Sequence, residues 1–141
     1  MNKTLIFGNF ITVDEKRPFA KAVYVKDGVA FHSDYPVSPQ MDVKLSFYTA
    51  EKRNYPADAL GGVARPRNTK EAVSREQSLR AMTINVARQF RQEHRMGSIA
   101  FGKVANMTVF DCDFLHDDIE KVAQANLIAT IVDGEEVFKA L

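Results

Sequence analysis

The sequence predicts a mainly β domain with some helix, an α+β fold of about six or seven strands and one main helix. Short runs rich in β-branched and aromatic residues recur between Gly, Pro, Asn and Asp turn signals, which is typical of strands. Only one segment, which begins near Ser74, has the apolar spacing of a long amphipathic helix. Because the chain has 141 residues, we expect a single domain over residues 1–141 with one hydrophobic core.

Residues 1–28 are the predicted N-terminal strand segment. The run TLIFGNFITV is interpreted as two short strands around a turn or bulge at Gly8-Asn9, so that the chain opens with a hairpin. The run FAKAVYVKDG then predicts a further strand, because it is apolar and ends on an Asp-Gly turn signal.

Residues 29–73 are the least regular part of the sequence. The run VAFHS predicts a short extended segment that ends at Asp34 and Pro36. Most of residues 38–70 is predicted as loop, because Pro and Gly are scattered through it, although MDVKLSFYTAEKR has room for a helical turn or two.

Residues 74–141 carry the main helix and the C-terminal strands. Ser74 and Gln77 have the spacing of a capping box. A single helix is predicted from there to Met96-Gly97, with an apolar stripe formed by Leu79, Met82, Thr83, Val86 and Phe90. A strand over residues 107–110, a short helix in HDDIEKVAQ and a hairpin closed by a type I′ turn at Asp133-Gly134 follow.

Composition excludes several classes of protein. The formal charge of +1 indicates neither a nucleic-acid partner nor a membrane partner, and no apolar run approaches the length of a membrane span. The single cysteine, Cys112, has no partner for an internal disulfide. The apolar run at the start is too short and too polar for a signal peptide, so we expect a cytoplasmic protein.

The residues that could carry chemistry are isolated in the sequence. His32, His94 and His116 lie far apart and form no local metal motif, so His94 and His116 are interpreted as ordinary surface histidines, His94 late in the main helix. Cys112 lies between two aspartates, which disfavours a thiolate. The arginines opposite the apolar stripe, together with Arg65 and Arg67, favour a solvated face over an anion or RNA site. The arginines opposite the apolar stripe are Arg80, Arg88, Arg91 and Arg95.

Taken in order, the motifs resemble those of a known family. The segment SREQSLRAMTINVARQFRQEHRMGSIAFGKVANMTVFDCDFL, followed by NLIATIVDGEEVF, is similar to the C-terminal part of metal-dependent amidohydrolases, especially the amidohydrolase family 3 group. The opening LIFGNFITVDEKRPFAKAVYVKDG is similar to that family's first strands. The matching C-terminal positions are Thr83, Asn85, Gly97, Ser98, Gly102, Lys103, Ala105, Asp111, Ala129, Thr130, Val132, Gly134 and Val137. Asn106 departs from the pattern, since the family usually has Asp there.

The resemblance implies a composite β-sandwich of the metal-dependent hydrolases, built from the two ends of the chain. The family's (β/α)8 barrel, which carries the metal ligands, needs about 200 residues and does not fit between Gly28 and Ser74. VAFHSDYPVSP resembles the last barrel strand and its loop, so Asp34 would match the family's metal-facing, proton-handling aspartate. In an alternative alignment DGVAFHSD matches an early strand of the family. Asp34 can also be explained as a polar residue at a strand end beside Pro36.

Hypotheses from different classes of function follow. The first is a truncated, barrel-less amidohydrolase, inactive alone and without a cofactor of its own, although the family it resembles uses a divalent metal such as zinc. Exposed Phe47, Tyr48 and Phe90 would then favour a homodimer or higher oligomer, with exchange of residues 29–50 as one route. The second is an active enzyme in which His32 and Asp34, on one face of a strand, bind metal together with ligands from a second chain. A third, a small-molecule or protein-binding module, has no supporting motif.

Overall fold

The computed structural model of the chain describes residues 3–11, 19–26, 29–32, 42–54 and 68–140, the first two ranges by their backbone only. These residues form a mixed α+β structure with a two-stranded and a three-stranded sheet. Every strand pair in the described ranges is antiparallel, so that part of the chain contains no (β/α)8 barrel. In chain order the elements are β1 (Lys3–Ile11), β2 (Phe19–Lys26), α1 (Val43–Lys52), α2 (Arg75–Met82), α3 (Ile84–Gln89), β3 (Met107–Phe110), α4 (Ile119–Gln124), β4 (Leu127–Val132) and β5 (Glu135–Lys139).

The N-terminal sheet differs from the prediction of two strands within TLIFGNFITV. β1 is a single strand that pairs with β2, and its register shifts between Phe7 and Phe10. The Gly8-Asn9 pair therefore marks a bulge inside one strand, because an extra residue can be inserted there without reversing the chain. The predicted strand at FAKAVYVK is confirmed as β2.

Helix α1 occupies a segment that was predicted to be mostly loop. Asp42 caps its start by accepting a hydrogen bond from the Lys44 backbone N–H at 2.9 Å. Arg53 ends it in the left-handed conformation with φ of 54° and donates its N–H to the Thr49 carbonyl. The ten residues between them contain no Gly or Pro, so they can form a regular helix. The prediction of a loop followed from the Pro and Gly residues of the flanking sequence.

The predicted main helix is divided into α2 and α3 at Thr83. The predicted capping box at Ser74 and Gln77 is confirmed at its start. Thr83 has φ of −126° and ψ of −94°, and its hydroxyl donates to the Leu79 carbonyl at 2.7 Å. A β-branched residue whose side chain binds the preceding turn destabilises a regular helix, which accounts for the break.

Helix α3 ends seven residues before the predicted end at Met96. Arg91 adopts φ of 56°, its N–H donates to the Arg88 carbonyl, and the Gln92 N–H donates to the Ala87 carbonyl at 2.7 Å. This is a Schellman motif with arginine where glycine is usual, so the sequence carries no glycine signal for it. His94 consequently lies in the turn that follows, not in a helix.

The C-terminal sheet follows the predictions closely. β3, α4 and the β4–β5 hairpin are confirmed within the predicted segments. Asp133 and Gly134 have φ of 51° and 84°, the two left-handed conformations that a type I′ turn requires. The total of six or seven strands and the sandwich arrangement stay predictions.

The core lies between α1 and α4, with α2 packed against it. Phe47 and Tyr48 of α1 and Ile119 and Val122 of α4 are its buried members. Phe114 packs edge-on against Phe47, with ring centroids 5.0 Å apart. The expectation that Phe47 and Tyr48 would be exposed is therefore wrong, because the helix that carries them packs its apolar side on α4. The expectation for Phe90 is confirmed, since it is 70% exposed.

Arg75 ties this core to the loop before α4. Its Nε lies 2.7 Å from Glu51 Oε2, and its Nη1 donates to the backbone carbonyls of Phe114 at 2.8 Å and Asp117 at 3.1 Å. The guanidinium, mostly removed from solvent, thus joins α1, α2 and the loop 114–117 through charge-assisted hydrogen bonds. No helix among the described residues is long and apolar enough to cross a lipid bilayer.

Candidate functional site

The segment that carries His32 lies against the junction of α2 and α3. The Phe31 N–H donates to the Ala81 carbonyl at 3.1 Å, and Asn85 Nδ2 donates to the Val29 carbonyl at 3.0 Å. The His32 side chain is exposed. Residues 29–32 pair with no strand in the described part of the chain: their backbone hydrogen bonds go to a helix end and to a side-chain amide.

Asp34, the residue predicted to be catalytic and metal-binding, lies outside the described residues. The pairing of His32 with Asp34 on one strand face therefore stays a prediction. Among the residues that the structure describes, no three His, Cys, Asp or Glu side chains are arranged to hold a metal ion.

Gly97 is a point of close approach between the turn after α3 and the helix itself. A Cβ atom on Gly97 would lie 2.6 Å from Ala87 Cβ and 3.0 Å from Ile84 Cα, and its φ is +86°. Both the space and the backbone conformation therefore require glycine here. The motif residues Thr83, Asn85 and Gly97 act together to join α2, α3 and the segment 29–32.

Lys103 holds the same turn from its other side. Its ammonium group donates to the Glu93 carbonyl and to Ser98 Oγ, the latter at 2.8 Å, and lies 3.5 Å from the Met96 carbonyl oxygen. A lysine ammonium has three donors and no acceptor. All three are therefore directed at groups of this turn.

Asn106 secures the β4–β5 hairpin. The Asp133 backbone N–H donates to Asn106 Oδ1 at 2.8 Å, and the Gly134 N–H donates to the Ala105 carbonyl at 3.0 Å. An amide oxygen accepts this hydrogen bond as a carboxylate oxygen would. The departure from Asp at this position therefore preserves the contact.

Asp111 joins the end of β3 to the start of β4. Its two carboxylate oxygens accept hydrogen bonds from the backbone N–H and from Nδ2 of Asn126, each at 2.8 Å. The side-chain bond, followed by the backbone bond, lowers the pKa of Asp111 below its ordinary value of 3.8. The paired contact therefore extends the ionised range of Asp111 to lower pH.

An open groove of about 730 Å³ lies beside β3. Apolar side chains including Ile99, Val109 and Leu115 line it, with the carboxylates of Asp111, Asp113 and Asp117. We call it the acidic groove.

The carboxylates of the acidic groove are engaged in local hydrogen bonds. Asp113 Oδ2 lies 2.8 Å from His116 Nδ1, and this contact is the main cause of the lowered pKa of Asp113. Asp117 Oδ2 lies 2.8 Å from Lys121 Nζ, which lowers the pKa of Asp117 in the same way. Each carboxylate is therefore negatively charged at neutral pH.

Cys112 is suited to packing more than to nucleophilic chemistry. Burial is the largest cause of the raised pKa of its thiol, and the charges of Asp111 and Asp117 raise it further. The thiolate is the reactive form of cysteine, so this thiol is a poor nucleophile at neutral pH. The interpretation from the sequence, a thiolate disfavoured by its neighbouring aspartates, agrees with this environment.

Comparison with known proteins places these motifs in a family. The model of an amidohydrolase family matches residues 11–138. The chain belongs to this amidohydrolase family. The resemblance inferred from the motifs is thereby confirmed.

A solved amidohydrolase has a related fold. The crystal structure of an amidohydrolase from Thermotoga maritima MSB8 is 23% identical to the chain and superposes with a TM-score of 0.52 over 79% of it. The chain spans only 23% of the length of that protein. None of the curated proteins compared with the chain matches it.

Several amidohydrolase motif residues in this chain make contacts within the fold. The predicted pairing of His32 with Asp34 stays a prediction, since Asp34 lies outside the described residues. Gly97 and Lys103 make contacts that fix the turn after α3, and Asp111 joins the end of β3 to the start of β4. Sequence reasoning missed the acidic groove, although all its lining residues except Ile99 lie in the one stretch 107–117, because the sequence does not show that this stretch and Ile99 form a concave surface.

Proposed function

We propose that the chain forms the non-catalytic β-sandwich part of an amidohydrolase acting on C–N bonds other than peptide bonds, and that it has no hydrolase activity alone. Its membership of the family supports the lineage. The match to less than a quarter of the Thermotoga maritima protein supports the idea that it corresponds to one part of such an enzyme.

The observation that carries this proposal is the internal use of the family's polar motif residues. Lys103 binds carbonyls of its own turn, Asn106 binds the β4–β5 hairpin, and Asp111 binds Asn126. A residue that handles protons in catalysis must face the substrate within hydrogen-bonding distance. These side chains instead direct their donors and acceptors at the fold.

The sandwich itself is part of the proposal. The sheet of β3, β4 and β5 leaves several apolar side chains at least a third exposed: Val109, Leu127, Ile128, Val132, Val137 and Phe138. An antiparallel sheet gains stability when one face is covered. We propose that a second β layer covers part of this surface in the complete sandwich.

The proposal also includes self-association and a cytoplasmic location. Phe90, Ile99 and Phe101 are each at least 70% exposed. Uncovered apolar surface of this kind favours contact with another protein surface. The single cysteine, partly buried and unpaired, is compatible with a reducing compartment.

Two measurements on the freshly purified chain test the proposal. Elemental mass spectrometry should find a divalent metal content near zero per chain, and hydrolysis assays with N-acyl and cyclic amide substrates, with added zinc, should show no turnover. Close to one metal ion per chain, together with turnover that His32→Ala and Asp34→Ala both abolish, would instead establish the alternative of a metal-dependent site completed at an oligomer interface. His116→Ala is the matched control, since that histidine contacts Asp113 and is not one of the predicted metal ligands.

A further inference from the structure

Strand β3 is one edge of the three-stranded sheet, since the strand order is β3-β4-β5. The Asp111 N–H, directly after β3, donates to the Asn126 carbonyl at 3.2 Å, on the side of β4. Because successive N–H groups of a strand point to opposite sides, the N–H and C=O groups of Thr108 and Phe110 point away from β4. Within the described part of the chain, these four main-chain groups have no hydrogen-bond partner.

The two edges of this sheet differ in how they are protected against further pairing. β5 contains a bulge, because its register skips Val137, and it carries Glu135, Glu136 and Lys139. Bulges and charged side chains are features that prevent another strand from pairing with a sheet edge. β3, with the sequence MTVF, has neither charge nor proline, and the extra residue at its register shift is Ile128 of β4. β3 is therefore the edge on which a further strand can pair.

The acidic groove runs along this same edge. All four residues of β3 line it, together with Ile99 and Leu115, which are 89% and 41% exposed. Because successive side chains of a strand alternate between its two faces, a groove lined by all four lies along the edge of the strand and not on one face. Four strand residues span about 13 Å, so the groove has the length of an extended segment of about four or five residues.

The groove has a negative field that the local ion pair does not cancel. Burial is the largest cause of the raised pKa of the Cys112 thiol, which lines the groove. The charges of Asp111, Asp117 and Asp113 raise this pKa further, whereas the Lys121 ammonium lowers it. Asp111 is hydrogen-bonded to an uncharged amide, which leaves its charge uncompensated. A segment that carries lysine or arginine is therefore favoured in the groove.

We propose that the edge of β3 is a docking site for an extended, basic peptide segment of another protein. The segment adds a fourth strand to the sheet, and its main chain exchanges hydrogen bonds with Thr108 and Phe110. Its alternate apolar side chains contact Ile99 and Leu115, and its basic side chains lie near the carboxylates of the groove. This inference goes beyond the proposed function and does not depend on it.

Amide hydrogen exchange with a defined peptide tests the edge directly. The probe is the peptide KVTVKV with acetylated and amidated ends. In the free chain the amides of Thr108 and Phe110 should exchange rapidly and that of Val109 slowly, since Val109 pairs with Ala129. Saturating peptide should slow exchange at Thr108 and Phe110. The peptide EVTVEV should bind at least about tenfold more weakly at low salt, and KVTVKV with its central amides N-methylated should not bind.

Variants of β3 and of the groove separate edge pairing from non-specific contact. Thr108→Pro removes an N–H that points away from β4, so the ladder with β4 is kept while the affinity for KVTVKV should fall at least about tenfold. Thr108→Ala is the matched control and should leave the affinity unchanged, with circular dichroism checking the fold of both. Asp113→Asn keeps the acceptor for the Leu115 N–H, and it should weaken binding of KVTVKV but not of EVTVEV.

Three results would overturn this inference. Slow exchange at Thr108 and Phe110 in the free chain at every concentration would mean that the chain itself covers the edge. Protection that grows with protein concentration would make a second copy the occupant. No added protection with KVTVKV, or equal binding of its N-methylated form, would exclude pairing with the edge. None of these results affects the proposed function, which the metal content and hydrolysis assays decide separately.

Discussion

Replacement of Gly97 by alanine should destabilise the chain far more than the same replacement at Gly102. Both glycines have strongly positive φ, +86° and +82°, so each alanine would cost about 1 kcal/mol of backbone strain. At Gly102 nothing lies within 4 Å of the added Cβ. At Gly97 the Cβ would also meet Ala87 Cβ at 2.6 Å and helix backbone at 3.0 Å, and overpacking of this kind costs about 1–3 kcal/mol.

The expected losses in the free energy of unfolding are therefore about 2–4 kcal/mol for Gly97→Ala and about 1 kcal/mol for Gly102→Ala. Urea denaturation followed by circular dichroism measures both losses. The slope of the free energy of unfolding against urea concentration should stay constant if only the folded state is affected. Ala87→Gly in the Gly97→Ala background should recover part of the loss, because it removes the closest contact while the contact with the Ile84 backbone remains. Equal losses for the two single variants would refute the claim that α3 and the turn at Gly97 are in contact.

Three further changes test the core, a helix end and the Asp111 contact. Phe47→Ala should lower the free energy of unfolding by about 3–5 kcal/mol in urea titrations, because the ring is 1% exposed, whereas Phe138→Ala, at 45% exposed, should cost less than half as much. Arg91→Gly should raise the free energy of unfolding by about 0.5–1 kcal/mol, because glycine adopts φ of 56° without strain. An unchanged or lower free energy of unfolding would contradict the Schellman assignment. The pKa of Asp111 in the folded chain lies below its ordinary value of 3.8. The contribution of Asp111 to the free energy of unfolding is therefore complete above about pH 3.8 and is lost as the pH falls through the folded pKa. Asp111→Asn should therefore make the thermal midpoint less sensitive to pH below about 4, and an unaltered pH profile would argue against the contact with Asn126.

Local signals in the sequence determined a large part of the fold. The capping box at Ser74, the strand at 107–110, the short helix before Asn126 and the Asp133-Gly134 turn were all predicted, because each depends on a few neighbouring residues whose backbone preferences agree. Family membership was also within reach of the sequence, since several motifs occur together in one order. These signals do not depend on which segments meet in space.

Tertiary contacts decided the rest. Phe47 and Tyr48 were predicted to be exposed, and only the packing of α1 on α4 shows that they form the core. Helix α3 ends at a Schellman motif that has arginine instead of glycine, and no pattern in the sequence marks such an end. The acidic groove could not be predicted either, because only the fold places Ile99 beside the stretch 107–117 and shapes the two into a groove. The sequence alone thus determined the elements and the family, whereas long-range packing determined which side chains are buried and which surfaces face each other.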